Sequence, residues 1–239
     1  MSTHDIIAIG ASTGAFETLK QIFADFSADL PAAVFVVMHI TSDGRDILAD
    51  ILDAAGPMAV KTAAEGDIIE NSQAYVAPAG QHLLVDSGKI WLGQGPRENM
   101  VRPAVDPLFR SAALSYGPRV IGVVLSGMLD DGAAGLAAVK RCGGLTVVQD
   151  PADAQANEMP LKALDACAVD FRATAGKLAQ TLVQLTNEPA PPPLPVPGDI
   201  ALEVQIAAGR PSTTEMIAQI AVPVPLSCPS CSGGLIRDR

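Results

Sequence analysis

Residues 6–14 read IIAIGASTG, an apolar run that ends in a turn bounded by two glycines. Between Phe16 and Phe26, apolar residues then recur at the spacing of one helix face. A buried strand that passes through a short turn directly into a helix is the opening of a βαβ unit. The stretch therefore predicts a sheet of parallel strands covered by helices.

The same alternation of short apolar runs and longer helical patterns continues to residue 186. Strands are predicted at Val34–Ile40, Ala74–Pro78, His82–Val85, Lys89–Leu92, Val120–Ser126 and Leu145–Gln149. Helices are predicted at Asp46–Ala55, Asp106–Tyr116, Gly132–Cys142 and Lys177–Leu185. We therefore expect an α/β fold with a doubly wound, mainly parallel, Rossmann-like sheet flanked by helices. The turn Asp86-Ser87-Gly88 between two short strands predicts an additional small antiparallel hairpin.

The composition limits the classes of function. The chain has 239 residues and a formal net charge of −10, a sign that the phosphate backbone of nucleic acid repels. Neither a signal peptide nor a membrane span is predicted, because no leader pattern and no apolar run of about 18 residues occurs. We expect a cytoplasmic, reduced protein in which Cys142 and Cys167 are small core residues.

The candidate nucleophile is Ser12. Ligands of doubly wound sheets bind at the carboxyl ends of the strands, and Gly10-Ala11-Ser12-Thr13-Gly14 lies at such an end. The segment matches the G-x-S-x-G pattern, whose small residues let a serine sit exposed on a tight turn. A glycine-rich turn in which Ser12 or Thr13 merely caps the following helix is an alternative. A dinucleotide site is disfavoured, because Ala15 and Phe16 stand where a further glycine is needed and the second strand ends without an acid.

The candidate general base is His39, which ends the second predicted strand. An imidazole at that position can face a serine on the neighbouring strand, take its proton and return it later. His82 follows a turn and re-enters a strand, and it is the second candidate for this role.

An acid that orients the histidine is expected in the loop Ser126–Gly135, directly after the most apolar strand. Asp130 and Asp131 both have the carboxylate that holds an imidazole in the required tautomer. Either acid could instead cap the helix that follows. The residues alone leave the choice between the two open.

Together these segments resemble the chemotaxis-receptor methylesterase family, CheB. The resemblance rests on the G-A-S-T-G turn, the histidine that ends the second strand and a G-M-x-x-D-G-A-x-G loop, and it extends to Arg102–Asp106 and Glu158-Met159-Pro160. It implies Ser12 as nucleophile, His39 as base and Asp131 as acid. The backbone N–H groups of Met128 and Thr13 would then form the oxyanion hole.

The resemblance also implies a reaction. It is the hydrolysis of glutamate γ-methyl esters on chemoreceptor cytoplasmic helices or another methylated protein, with deamidation of glutamine as a second activity. No metal or organic cofactor, no nucleic acid and no membrane insertion is implied. Family members of the two-component kind carry a receiver domain before the esterase, whereas the first strand here starts near residue 5, so a stand-alone form is expected.

Leu129 departs from the family pattern, in which glycine is common before the acidic pair. If position 129 requires a positive φ, leucine costs about 1 kcal/mol or more there. The alternative function is therefore a catalytically weakened signalling or binding module with the same fold.

The chain is divided into a catalytic domain (1–186), a proline-rich linker (187–199) and a tail (200–239) with a candidate helix at Ser212–Ile220. The tail holds Cys228 and Cys231 in a C-x-x-C motif that resembles one half of a zinc ribbon. A structural zinc site needs four ligands, and no second pair follows. A truncated site, a zinc shared by two chains and a vestigial motif are the alternatives.

Overall fold

The structure is a computed structural model that describes residues 2–39, 47–211, 213, 215, 216, 218, 221–227 and 234–238. Its strands are β1 (Ile6–Ala11), β2 (Ala33–Met38), β3 (Ala59–Thr62), β4 (Gln73–Val76), β5 (His82–Asp86), β6 (Lys89–Gly93), β7 (Val120–Val124), β8 (Leu145–Gln149), β9 (Phe171–Ala173), β10 (Ala221–Ser227) and β11 (Gly234–Asp238). Its helices are α1 (Phe16–Asp25), α2 (Leu48–Ala55), α3 (Val105–Tyr116), α4 (Ala133–Arg141), α5 (Glu158–Ala166), α6 (Ala175–Thr186) and α7 (Gly198–Ala207).

Seven strands form one parallel sheet in the order β3-β4-β2-β1-β7-β8-β9. β1 pairs with β2 on one side and with β7 on the other, so the strand order reverses beside β1. In a doubly wound sheet this reversal opens a crevice at the carboxyl ends of the strands. The predicted fold class is thus confirmed, and β5 and β6 form the predicted antiparallel hairpin.

The inner strands of the sheet are buried on both faces, which explains why they are mostly apolar and do not alternate. Ile7 and Ile9 of β1 point to one core, which they share with residues of α1, α2 and α6. Ile6 and Ala8 point to the opposite core, which they share with residues of α3, α4 and α5. All six residues of β1 are buried, so this strand forms the centre of the molecule.

Three elements of the domain were not predicted from the sequence. β3 and β9 are short edge strands that contain exposed residues, so they lack the apolar run by which the inner strands were found. α5 contains Pro160 in its first turn, where the missing N–H is not needed for the helix. No helix among the described residues has the length and hydropathy that a membrane span requires.

The chain beyond residue 186 remains in contact with the sheet domain. Thr3 pairs with Pro189, and the N–H of Ala190 donates to the carbonyl of Ser2 at 2.9 Å. α7 packs against α3 and buries Ile200 in the second core. The division at residue 186 therefore stays a prediction.

The predicted helix at Ser212–Ile220 falls largely outside the described residues, although Glu215, Met216 and Ala218 are helical. The Cys228 and Cys231 pair lies outside the described residues entirely. Within the described part of the chain, no three His, Cys, Asp or Glu side chains converge as metal ligands would.

Candidate active site

Ser12 lies on a tight turn directly after β1. Its N–H donates to the carbonyl of Ser126 at 3.0 Å, and its own carbonyl accepts from Ala15 at 3.1 Å. Gly14 has a φ of +79°, a left-handed conformation that glycine adopts without strain. A Cβ at Gly10 would lie 2.2 Å from Cγ1 of Val105, so this glycine permits close packing under the turn.

Ser12 does not cap helix α1. The cap position is Ala15, and no side chain bonds to the free N–H groups there. The Ser12 hydroxyl instead lies 3.0 Å from Nδ1 of His39. The capping interpretation of the sequence is therefore wrong for this residue.

His39 follows β2 and bridges the other two predicted site residues. Its backbone N–H donates to the carbonyl of Ala11 at 3.1 Å, which fixes it beside the serine turn. Its Nε2 lies 2.7 Å from Oδ2 of Asp131. Because an ionised carboxylate only accepts hydrogen bonds, Nε2 carries the proton, which leaves Nδ1 to accept from the Ser12 hydroxyl. We call Ser12, His39 and Asp131 the catalytic line.

His82, the second candidate base, is wholly buried and lies outside the catalytic line. Its Nε2 donates to the carbonyl of Pro96 at 2.8 Å, and its Nδ1 accepts from the N–H of Ala104 at 3.2 Å. Burial lowers the pKa of His82, so its neutral form is favoured. With both ring nitrogens occupied, His82 holds a loop in place and has no free nitrogen for a substrate.

Asp131 is the acid that faces the histidine, whereas Asp130 is exposed to solvent. Asp131 is 2% exposed and accepts four hydrogen bonds. They come from Nε2 of His39, the N–H groups of Val105 and Asp106, and Nδ2 of Asn99. Burial alone would raise the pKa of Asp131, but the hydrogen bonds from His39 and Val105 outweigh it and lower the pKa. The carboxylate therefore stays ionised beside the imidazole.

Two neighbours of Asp131 were missed as functional residues. Asn99 donates from one nitrogen to Asp131 Oδ1 at 2.7 Å and to Asp106 Oδ2 at 2.9 Å. Asp106 is almost fully buried, and burial together with the charge of Asp131 raises its pKa to about 7. Asp106 belongs to the Arg102–Asp106 motif, but no sequence pattern distinguishes Asn99 from an ordinary loop residue.

The loop after β7 carries the predicted oxyanion-hole residue Met128. Leu129 has a φ of +64°, so the positive φ considered from the sequence does occur at this position. Its N–H donates to the carboxylate of Glu158 at 2.7 Å, and the carbonyl of Gly127 accepts from Met159 at 3.0 Å. These two contacts tie the loop to the start of α5.

The other predicted oxyanion donor, Thr13, follows the serine on the same turn. No acceptor among the described residues takes the backbone N–H of either Thr13 or Met128. Both groups are therefore available to a ligand. A Cβ at Gly127, next to Met128, would lie 2.8 Å from Cβ of Ser12, so the two turns are in close contact.

A crevice of about 360 Å³ opens beside the histidine. It is lined by His39, Ala79, Gly80, Arg97, Met100, Val101, Arg102 and Pro103. An ester that enters this crevice can approach the catalytic line from the side of His39. The contacts among Ser12, His39 and Asp131 can activate a hydroxyl and accept its proton.

Comparison with known proteins gives consistent matches. The model of the CheB methylesterase family matches residues 7–182. The protein-glutamate methylesterase/protein-glutamine glutaminase of Pyrococcus horikoshii is 38% identical over 182 residues, which cover 74% of this chain and 50% of that protein. The protein named protein-glutamate methylesterase/protein-glutamine glutaminase 2 of Methanosarcina mazei is 36% identical over 194 residues, 78% of this chain and 53% of that protein.

A shorter relative and a solved structure match over a similar region. A putative protein-glutamate methylesterase/protein-glutamine glutaminase of Leptospira interrogans is 34% identical and is covered over 95% of its length. The crystal structure of the Thermotoga maritima CheB methylesterase catalytic domain matches with a TM-score of 0.73 and 32% identity, over 77% of this chain and 100% of that one. The chain spans about half the length of the Pyrococcus and Methanosarcina proteins.

Proposed function

The chain belongs to the CheB methylesterase family, and from that premise we propose that it is a serine hydrolase that removes γ-methyl esters from glutamate side chains of proteins. Ser12 is the nucleophile, His39 the general base and Asp131 the acid that orients it. The observation that carries the proposal is the continuous line of contacts, 3.0 Å from Ser12 Oγ to Nδ1 and 2.7 Å from Nε2 to Asp131. Both distances are short enough for a hydrogen bond through which a proton can be transferred.

The proposed reaction has two halves. Ser12 Oγ attacks the ester carbonyl while His39 Nδ1 takes the hydroxyl proton, and the tetrahedral oxyanion accepts hydrogen bonds from Met128 and Thr13. Collapse breaks the bond to the methoxy oxygen, which leaves as methanol with the proton from His39. Water, deprotonated by His39, then hydrolyses the acyl-enzyme to the glutamate carboxylate and regenerates Ser12.

The ring orientation differs from the chymotrypsin template, in which Nε2 faces the serine. Here Nδ1 faces Ser12 and Nε2 faces Asp131. The chemistry is unchanged, because each ring nitrogen serves one partner and the proton on Nε2 is held by an ionised carboxylate.

The proposed substrates are methylated cytoplasmic helices of chemoreceptors, which sets the activity in the cytoplasm. Deamidation of glutamine is proposed at the same site, since the same acyl-enzyme forms when ammonia leaves instead of methanol. The names of the Methanosarcina and Pyrococcus relatives, which give both methylesterase and glutaminase, support the pair of activities.

A binding module that has lost turnover is the competing function, and the strained backbone of Leu129 is the observation that favours it. A left-handed leucine costs roughly 1–2 kcal/mol. The hydrogen bond from its N–H to the Glu158 carboxylate is exposed to solvent and contributes about 0.5–1.5 kcal/mol. The strain is thus offset in part, and the continuous contacts among Ser12, His39 and Asp131 make the enzyme the better supported function.

A serine-reactive fluorophosphonate tests the proposal. We expect one adduct per chain on Ser12, no adduct in Ser12→Ala, and an unchanged adduct in Ser27→Ala, a matched exposed serine away from the site. Absence of labelling in folded wild-type protein would favour the binding module. Labelling that persists in Ser12→Ala would mean that another residue is the nucleophile.

A further inference from the structure

Asn99 takes no direct part in the proposed reaction, but it bonds to Asp131, on which the reaction depends. Its side-chain amide lies between two carboxylates, with Nδ2 at 2.7 Å from Asp131 and 2.9 Å from Asp106. One amide nitrogen has two protons, so each carboxylate receives one. Among the described residues, Asn99 contributes the one side chain besides His39 that bonds to the acid of the catalytic line.

The two carboxylates would disturb each other without a donor between them. Asp106 is 5% exposed and Asp131 is 2% exposed, so little water reaches either group. Two like charges at close range in a poorly hydrated site favour the uptake of a shared proton. A proton on Asp131 would remove the charge that stabilises the imidazolium of His39 during catalysis. The Asn99 amide satisfies both groups without adding charge.

The loop that carries Asn99 has a strained backbone. Asn99 and Met100 have φ angles of +50° and +66°. Asparagine tolerates this left-handed conformation better than most residues, which suits it to the position. Glu98 and Val101, on either side, bond to each other through both backbone N–H groups, at 3.2 Å and 2.9 Å. A strained turn of this kind persists only where its surroundings hold it.

The contact that holds this loop is an ion-pair chain from α3 to α7. The guanidinium of Arg110 on α3 bonds to the carboxylate of Glu98, the residue before Asn99. Nε of the same side chain lies 3.3 Å from Oε2 of Glu203 on α7, an ion pair by distance in which this Nε makes no hydrogen bond to the described residues. Arg110 is 7% exposed, so its charge is largely desolvated and needs these partners. We call Glu98, Arg110 and Glu203 the ion-pair support.

α7 also fixes the beginning of the same loop. The N–H of Gly95 donates to the carbonyl of Ala207 at 3.1 Å. A Cβ at Gly93 would lie 2.3 Å from that carbonyl oxygen, so helix and loop are in direct backbone contact. The family match ends at residue 182, and α7 begins at Gly198. The helix therefore packs against the loop from outside the part of the chain that the family model matches.

We propose that Asn99 is a positioning residue for Asp131 and that α7, through Glu203 and Arg110, holds the loop that places it. The segment after residue 186 then contributes to catalysis without touching substrate. This inference rests on the proposed function for its kinetic consequences, but the geometry it predicts around Asp131 does not depend on turnover.

Three variants separate the proposal from a general loss of folding. Asn99→Gly removes the amide and keeps a residue that accepts a positive φ. Glu203→Gln removes the charge on α7 that faces Arg110. Asp199→Asn is the matched control, because Asp199 also lies on α7 but forms its ion pair, at 2.7 Å, with Arg141 of α4.

The first measurement is hydrolysis of p-nitrophenyl acetate. We expect kcat to fall about 10- to 100-fold in Asn99→Gly with a smaller change in KM, well short of the loss on removal of the acid itself. Glu203→Gln should lose less, about 2- to 10-fold, because it acts through two further residues. Asp199→Asn should match the wild type. Wild-type rates in Asn99→Gly, or equal losses in Glu203→Gln and Asp199→Asn, would overturn the proposal.

The second measurement is the low-field proton resonance of the His39–Asp131 hydrogen bond in the NMR spectrum. We expect it in the wild type and in Asp199→Asn, and we expect it to broaden or vanish in Asn99→Gly. If the wild type does not hydrolyse the ester, the proposed function fails, while this resonance still decides the positioning role. An unchanged resonance in folded Asn99→Gly would refute that role whatever the activity.

Discussion

The catalytic line and the ion-pair support are built from different kinds of contact. Ser12 and His39 each follow a central strand by one residue, and backbone hydrogen bonds to Ser126 and Ala11 fix them there. The ion-pair support joins three long side chains from a loop, α3 and α7. The first depends on local sequence and sheet register, and the second depends on charge and on a helix distant in the chain.

This difference implies that the two regions fail in different ways. Removal of the Ser12 or His39 side chain should abolish chemistry and leave the fold intact, because the backbone contacts of both residues remain. Removal of a carboxylate from the ion-pair support takes a partner from the buried guanidinium of Arg110, so stability and geometry should change together.

The largest effect is expected within the catalytic line. Asp131→Asn should lower kcat about 10⁴-fold, because the amide no longer holds the proton on Nε2 of His39. Asp130→Asn should be near wild type, since Asp130 is exposed. Steady-state kinetics of the two variants, with thermal melts as the folding control, check this pair. A larger loss in Asp130→Asn would mean that the wrong acid was chosen.

The next effect is expected in the ion-pair support. Arg110→Ala leaves Glu98 and Glu203 without their shared cation. It should reduce the free energy of unfolding by about 1–3 kcal/mol, less than for a fully buried pair, because both carboxylates are partly exposed. Urea denaturation measures it. A triple change of Arg110→Met with Glu98→Gln and Glu203→Gln should recover part of the loss, and no recovery would argue against unpaired charge as its cause.

A further effect concerns how stability depends on pH, which differs between the buried carboxyls of Asp106 and Asp131. The raised pKa of Asp106, about 7, lies above the value in the unfolded chain, so its contribution to stability is full below about pH 4. That contribution is lost as the pH rises towards 7. Asp131 has a lowered pKa, so its contribution is instead lost below about pH 4.

The pH dependence of stability also includes other titrating groups, such as the buried His4 and His82. The difference in the free energy of unfolding between the wild type and Asp106→Asn isolates the contribution of the Asp106 carboxyl. Between pH 4 and 7 the wild type should lose stability relative to the variant, as urea denaturation at each pH would reveal. A relative gain with rising pH would contradict the direction given for Asp106.

The smallest effect concerns the backbone at Leu129. Leu129→Gly should raise the free energy of unfolding by up to about 1 kcal/mol, because glycine adopts the φ of +64° without strain. Activity should stay within a few-fold, since the contact to Glu158 uses the backbone N–H. A loss of stability would mean that the side chain contributes packing that outweighs the strain.

The sequence was informative wherever function and fold depend on the same short segment. The inner strands and the positions of Ser12 and His39 follow from apolar runs and from what comes directly after them. Asp131 could be chosen over Asp130 only by resemblance, because both acids fit the same loop. Burial of one and exposure of the other depend on how that loop turns in three dimensions.

Other parts could not be predicted because they depend on contacts between distant segments. Asn99 acquires its role from a loop conformation with two positive φ angles, which no local pattern indicated. α7 follows a proline-rich segment and has little polar–apolar segregation, so its place against α3 is set by the partner surface. The edge strands β3 and β9 are defined by pairing with a neighbour and not by their own composition.

Methanol release from a peptide that contains γ-methylglutamate tests the central claim most directly. The wild type should release one methanol for each glutamate carboxylate formed, and Ser12→Ala and His39→Ala should each be slower by a factor of about 10⁴ or more with unchanged thermal melts. Release by Ser12→Ala at the wild-type rate, or none by folded wild type, would contradict the account of an ester hydrolase that acts through Ser12.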